Sequence, residues 1–293
     1  MKKILVISGK GGTGKTFLTA SLACLAGDTK VMVDCDVDAP NLYLLLHPSI
    51  KKTEIFKGGY RAEINQNKCI QCGKCLTVCR FEAIKTIKTN NGGIEKIIID
   101  QFSCEGCSAC RYGCPVDAIE LENKEIGKWF ISDTKYGPFV FAKLGIAAEN
   151  SGRLVSKIKE EAYKLGEKKR ADYIIIDGPP GIGCPVIASM SGVDLAVVVT
   201  EPTLSGIHDM QRVMEVAKFF GVEIKVVINK HDINPENSKD IEKMCEEKNI
   251  EIAGCIPFSP EVAKSIVQAL PYIEFSGGDN ISKQIKYIWN KIS

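Results

Sequence analysis

The sequence carries almost no net charge. Its 38 basic residues stand against 36 acidic ones and leave +2 with histidine neutral. That removes any global electrostatic argument for a nucleic-acid partner or an anionic membrane. Histidine is scarce, and His47, His208 and His231 are isolated, so no metal-binding histidine pair can be read from the chain. No apolar run approaches the ~20 residues of a membrane span. The N-terminus, Met1-Lys2-Lys3-Ile4-Leu5-Val6-Ile7, runs straight into Ser8-Gly9. It is too short for a secretory signal and reads as a buried strand. The expected location is therefore the cytoplasm, where a disulfide framework has no place. Hydrophobic and charged contents of 45% and 25% fit an ordinary soluble globular protein, and 293 residues allow one large or two modest domains.

Cysteine, by contrast, is abundant, with 13 residues. Cys69, Cys72, Cys75 and Cys79 form C-x2-C-x2-C-x3-C, and Cys104, Cys107, Cys110 and Cys114 repeat it 35 residues later, followed by Pro115. Ala83-Ile84 recurs as Ala118-Ile119. The segment thus reads as an internal duplication. Three thiolates two residues apart can hold three corners of an iron–sulfur cube, with the fourth ligand drawn from the other run. The expected sets are Cys69, Cys72, Cys75 with Cys114, and Cys104, Cys107, Cys110 with Cys79. C-x2-C alone is also a zinc pattern. Two full runs in tandem favour clusters. The segment resembles bacterial-type two-cluster ferredoxins over residues 60–122, although Arg80 stands where the second run has Pro115. That resemblance implies two [4Fe–4S] clusters in an α+β insert.

A second motif opens the chain. A strand over residues 3–8 feeds Gly9-Lys10-Gly11-Gly12-Thr13-Gly14-Lys15-Thr16, which matches G-x-x-x-x-G-K-T. In such a P-loop the glycines let backbone N–H groups point at phosphate oxygens. Lys15 would reach the β- and γ-phosphates and the Thr16 hydroxyl would bind Mg²⁺. A helix beginning near Lys15 adds its N-terminal dipole. Further buried strands are expected at residues 31–33, 173–177, 194–200 and 222–229. The first two end in acids, in Asp34-Cys35-Asp36-Val37-Asp38 and at Asp177, where parallel strands border a nucleotide crevice. Asp34 is expected to shape the turn.

With its second lysine, G-K-G-G-T-G-K-T resembles the MinD/ParA group of ATPases, which includes the nitrogenase iron protein and the Mrp-type iron–sulfur carriers. The resemblance implies a mostly parallel, doubly wound α/β sheet. It implies that Lys10 crosses the interface of an ATP-dependent homodimer to the partner's nucleotide. It implies that Asp36 orients the attacking water, that Asp38 lies near Mg²⁺, and that Asp177 meets Mg²⁺ through water. Lys10, Lys15 and Asp36 are then the expected catalytic residues. Gly178-Pro179-Pro180-Gly181 is the expected second switch, Asn229 the adenine reader, and Pro257 part of a loop packed on the base. Cys184 lies where the iron protein carries a cluster ligand on its dimer axis. No second cysteine accompanies it, since Glu149-Asn150-Ser151-Gly152 occupies the other ligand's place.

The remaining segments give coarser expectations. Residues 51–60 read as a polar crossing, and Asn90-Asn91-Gly92-Gly93 as a tight turn. Residues 129–141 read as a hairpin and 150–167 as a helix. The tail carries Ile281, Ile285, Ile288, Trp289 and Ile292 on one helical face. A helix packed on the sheet is expected there rather than one lying on a membrane. The expected organisation is an ATPase domain over 1–59 and 123–293, interrupted by the ferredoxin-like insert at 60–122. The expected function is ATP hydrolysis with Mg²⁺ coupled to two [4Fe–4S] clusters, delivering low-potential electrons to a redox partner. The alternatives are an ATP-dependent carrier or scaffold serving a cluster acceptor, and a positioning ATPase.

Overall fold

The computed structural model describes residues 1–89, 92–145 and 151–293. These form two compact units. The first joins Met1–Glu54, Lys128–Leu144 and Ser151–Ser293; the second covers Ile55–Gly127 with the segment from Gly145. The strands in chain order are β1 (Lys2–Ser8), β2 (Lys30–Asp34), β3 (Ser49–Ile64), β4 (Ile84–Lys88), β5 (Ile94–Ile99), β6 (Ile119–Thr134), β7 (Gly137–Leu144), β8 (Tyr173–Pro180), β9 (Leu195–Thr200), β10 (Glu223–Asn229) and β11 (Glu251–Ile256).

In the first unit the sheet order is β11-β10-β9-β1-β8-β2-β7, continuing through β6 to β3. The pairs β1–β8, β1–β9, β9–β10, β10–β11, β2–β8 and β2–β7 are all parallel. Parallel strands covered on both faces need unbroken apolar runs. Ile4 to Ile7, Val31 to Val33 and Ile174 to Ile176 supply them, each fully buried. Ile4 and Val6 share one apolar cluster with Phe17, Leu18 and Leu22 of the helix Lys15–Leu25. The helix Ser151–Lys169 packs on β2, β7 and β8 through buried Leu154, Ile158 and Ala162. Only Lys135 and Tyr136 join β6 to β7, a link that permits only an antiparallel pair.

The tail forms the helix Asn280–Ile292, capped by the Asp279 carboxylate on the Ser282 N–H. Ile281, Ile285, Ile288 and Ile292 enter the same cluster as Ile4 and Val6. The Trp289 ring meets Tyr173 edge-on at 5.1 Å. The apolar face that could have met a membrane is thus spent on the core. Among the described residues no helix is long and apolar enough to cross a membrane.

The structure departs from the sequence reading at two places. Residues 51–60 are not a crossing but the middle of β3, a 16-residue strand. Nearly every residue of its first half is exposed, so the alternation that marks a half-buried strand is missing. Thr53, Ile55 and Phe56 nevertheless favour a pleated backbone, and β6 gives them a ladder. Strand β11 was not anticipated either. It is short, carries Gly254 inside and ends before Pro257, features that argue against a strand by pattern. The boundaries between the two units, at 54/55 and 127/128, fall inside β3 and β6.

The second unit repeats its backbone with the 35-residue period of its cysteines. Gln71 and Gly106 take left-handed conformations (φ 57° and 62°), as do Gly73 and Ser108 (74° and 71°) and Glu82 and Asp117 (51° and 49°). The halves are cross-linked reciprocally. Asn65 N donates to Ala118 O at 2.8 Å and Asp100 N to Ala83 O at 2.7 Å. Strands β4 and β5 pair antiparallel, and around their turn Thr89 N donates to Gly93 O. Asn90 and Asn91 lie outside the described residues.

If the tail belongs to the core, Ile285→Ala should lower stability by about 2–5 kcal/mol, as a buried large-to-small change does. Exposed Lys286→Ala should stay within about 0.5 kcal/mol of the parent. Urea unfolding midpoints measure both.

Candidate functional site

The P-loop leaves the carboxyl end of β1 and turns into the helix Lys15–Leu25 through Gly14, at φ 94°. A side chain there would be strained, and its Cβ would come within 2.4 Å of the Asn229 amide nitrogen. That closeness is used, because Asn229 Nδ2 donates to Thr13 O at 2.8 Å. The sequence-predicted Gly11, Gly12, Gly14, Lys15, Thr16 and Asp36 line one open cleft of ≈ 570 Å³. Gly9 and Thr13 belong to the same loop, and Thr13 is buried. Asn229 ends β10 beside the loop, and Pro257 follows β11.

Two acids stand at the floor of the cleft. Asp34 and Asp177 are register partners on β2 and β8, and both are buried. Asp177 accepts the hydroxyls of Thr16 at 2.6 Å and Thr19 at 3.0 Å. Asp34 accepts the backbone N–H groups of Asp36 at 3.0 Å and Leu42 at 3.1 Å, so it shapes the loop after β2. Burial pushes the Asp177 carboxyl up to about 6, against the pull of the Lys15 ammonium and the two hydroxyls. Burial and the Asp177 charge hold Asp34 well above the usual carboxylate range. Asp36 is raised too, chiefly by burial, with Lys15 opposing. Asp38 is exposed beside it. Thr19 was not expected from the sequence; its position one helical turn after Lys15 was the available signal.

Lys10 is folded back within its own chain. Its ammonium pairs with Glu201 at 2.6 Å and donates to Thr203 and Ser205 hydroxyls, both at 3.1 Å. Glu201 also holds Lys230 at 3.1 Å. Burial would lift the Glu201 pKa, but the hydrogen bonds from both lysines outweigh it and keep the carboxyl below its usual range. Glu201 was missed in the sequence, although an acid just past β9 is the same kind of signal that marked Asp177.

Past β8, the helix Cys184–Met190 begins with exposed Cys184. A side chain at Gly152 would come within 3.1 Å of Cys184 O, so the preceding helix lies directly against it. Glu149 and Asn150 lie outside the described residues. The far end of the Cys184 helix is held by Lys159, 4% exposed, whose ammonium donates to the carbonyls of Ala188, Ser189 and Ser191 at 2.7–2.8 Å. Of the other cysteines outside the repeat, Cys35 and Cys245 are buried, and burial lifts the half-buried Cys24 thiol to about 12.

In the second unit the repeated cysteines gather around two separate hollows. Cys69, Cys72, Cys75 and Cys114 line one. Cys79, Cys104, Cys107 and Cys110 line the other. Each hollow therefore takes three thiols from one run and the fourth from the other. Backbone amides reach the sulfurs, Ala62 N to Cys104 Sγ at 3.5 Å and Ala118 N to Cys114 Sγ at 3.3 Å. Apolar Ile64, Ile97 and Ile119 wall the first hollow, and Ala62, Ile84 and Ile99 the second. Among the described residues no three His, Cys, Asp or Glu side chains converge closely enough to grip a single metal ion.

The raised Asp177 carboxyl makes a signed prediction. Asp177 ionises near pH 4 in the unfolded chain and near 6 in the folded one, so its contribution to parent stability should fall as pH rises across that window. Asp177→Asn should remove its share of that fall and, without nucleotide, be more stable at pH 7 by on the order of 1–3 kcal/mol. Urea titrations from pH 4 to 7 test this. A parent that gains stability relative to the variant across the window would show that Lys15 outweighs burial.

The comparisons agree with this geometry. The family model described as the CobQ/CobB/MinD/ParA nucleotide binding domain matches residues 4–272. An uncharacterised protein of Methanocaldococcus jannaschii is 37% identical over 99% of this chain and 96% of its own length. An iron-sulfur cluster carrier protein of the same organism is 22% identical over 99% of this chain and 84% of its own. The solved structure of the septum site-determining protein MinD of Pyrococcus horikoshii, complexed with Mg-ADP, shares the fold with a TM-score of 0.57. It is 18% identical and covers 100% of this chain and 96% of that one. This chain belongs to the CobQ/CobB/MinD/ParA nucleotide-binding family and is one of its P-loop ATPases.

Proposed function

We propose that this ATPase carries two [4Fe–4S] clusters and delivers low-potential electrons to a redox partner under the control of ATP. The observation that carries the proposal is the division of the eight repeated cysteines between two hollows, three and one in each. That is the sharing of ligands expected of two-cluster ferredoxins. The fit is chemical as well as spatial, since soft thiols, apolar walls and amide N–H groups directed at sulfur suit iron–sulfur centres. Bound there, the clusters supply one-electron transfer.

The other unit supplies the control. The P-loop amides and Lys15 hold the phosphates. Thr16 holds Mg²⁺, with Asp38 and Asp177 completing its surroundings. Asp36, half-buried in the cleft, orients the attacking water. Gly178 to Gly181 can sense the γ-phosphate, and Lys159 fixes the helix that follows. Lys10 reaches the partner's nucleotide in an ATP-bound homodimer, for which it must leave Glu201. Asn229, joined to Thr13, and Pro257 border the base.

A second reading, transfer of a cluster to an acceptor protein, is favoured by exposed Cys184 and by the relative described as an iron-sulfur cluster carrier. The readings part on whether iron moves to an apo-acceptor while the eight repeated cysteines stay loaded.

Anaerobically isolated protein should hold about four iron per site, hence about eight per chain, with a reducible [4Fe–4S]⁺ paramagnetic signal. Stoichiometric zinc would end the proposal. The crossed sets make a sharper demand. Cys79→Ser with Cys104→Ser touches one hollow and should leave about four iron; Cys79→Ser with Cys69→Ser touches both and should leave fewer.

The Lys10–Glu201 pair opposes the role of Lys10 across a dimer. Glu201→Gln should therefore lower the protein concentration at which ATP drives dimerisation, by about 3–10-fold, since such pairs contribute up to roughly 1 kcal/mol. Lys10→Ala should raise it. Analytical ultracentrifugation with ATP reads both, and equal effects in the same direction would refute the latch.

A further inference from the structure

We propose that the nucleotide site also accepts GTP, with Asp232 as the residue that reads guanine. This rests on the nucleotide-binding reading of the P-loop and extends it to the choice of base. Thr16, Asp36 and Asp177 mark the magnesium and γ-phosphate end of the cleft, over β8 and β2. From β1 the sheet continues the other way through β9 to β10 and β11. A nucleotide laid across the carboxyl ends of these strands therefore places its base by the loops that follow β10 and β11.

Those loops are built as one piece. Strand β10 ends in Asn229-Lys230-His231-Asp232. Asn229 is committed to the P-loop, with Nδ2 donating to Thr13 O and Oδ1 accepting Lys230 N at 3.0 Å. Lys230 takes a left-handed turn at φ 55°, and its ammonium bridges back to Glu201. His231 N donates to Ile256 O at 3.1 Å, which ties the loop to the end of β11. Asp232 then accepts Phe258 N on Oδ1 at 2.7 Å. That bond fixes the carboxylate at the seam of the two loops, yet the residue is exposed. Among the described residues its Oδ2 has no hydrogen-bond partner. Phe258 itself is 54% exposed, and its ring offers an aromatic face on which a purine can stack.

A fixed carboxylate is an acceptor only. Guanine presents two adjacent donors, N1–H and the N2 amino group, and can satisfy both oxygens of a carboxylate at once. Adenine has a lone pair at N1 and no amino group at C2, so it gains nothing from Asp232 and is held by its phosphates and by stacking. A bidentate base contact of this kind discriminates by about ten-fold or more. Asp232 thus adds guanine to the purines the site takes, without excluding adenine.

The test uses the full chain with Mg²⁺ and compares binding of ATP, GTP and XTP calorimetrically in the parent and in Asp232→Asn. Asparagine keeps an acceptor for Phe258 N but turns a donor toward the base, where xanthine carries a carbonyl in place of the guanine amino group. The parent should bind GTP within about ten-fold of ATP, and the variant should lose GTP by about ten-fold, gain XTP and keep ATP. A parent that binds ATP but not GTP would overturn the inference and leave the ATPase reading intact. Equal loss of ATP and GTP in the variant would reduce Asp232 to a cap on the Phe258 loop. A parent that binds neither nucleotide would sink the P-loop reading itself.

Discussion

Two carboxylates, Asp34 at the end of β2 and Asp177 near the end of β8, face each other in register on adjacent parallel strands, and both are buried. Like charges held that way are costly, and the surroundings of the cleft are the arrangement that makes them tolerable. Asp34 is answered by the N–H groups of Asp36 and Leu42, and those bonds also set the path of the loop that carries Asp36 into the cleft. Asp177 is answered by Thr16 and Thr19 from the helix that begins at Lys15, which fixes that helix over β8. The positions of the P-loop, the loop after β2 and the floor of the site thus follow from one electrostatic problem at two strand ends. A divalent cation placed there would resolve what is left of it.

Much of the nucleotide-binding unit was legible because its signals are local. Buried parallel strands write themselves as apolar runs, so β1, β2, β9 and β10 could be read within a residue at each end, and β8 from its start to within three residues of its end. The glycine-rich loop is legible because only certain residues can take its backbone shape. The acids at the strand ends are legible because an acid after an apolar run has few other reasons to be there. What escaped was contextual. Nothing in the neighbourhood of Glu201 announces that Lys10 lies against it, since the two are brought together only by the adjacency of β1 and β9. Lys159 looks like any other lysine on a helix until the carbonyl end of the next helix arrives above it.

Strands β3 and β11 failed for the opposite reason, that local pattern misleads when burial does not decide the structure. Strand β3 is held by its backbone partner on β6 rather than by an apolar face, so its side chains carry almost no record of its conformation. The cysteine repeat lies at the other extreme. Its 35-residue period is visible in letters and also visible in the backbone, where Gln71, Gly73 and Glu82 have their left-handed counterparts in Gly106, Ser108 and Asp117. The choice of residue at these pairs is loose, with glycine matched by glutamine or serine. The conformation is what the duplication has preserved.

The crossed lining of the two hollows has a consequence for where such a unit comes from. Each hollow draws thiols from both runs, so a peptide with a single run encloses neither. A one-run ancestor could have closed a site only by meeting a second copy of itself, and at low concentration it would have stood open. Joining the copies in tandem made that encounter intramolecular and replaced dependence on abundance with an effective concentration fixed by the connecting turn. Once joined, the halves were free to drift apart in sequence, as Arg80 and Pro115 have done, because neither any longer had to recognise an identical twin.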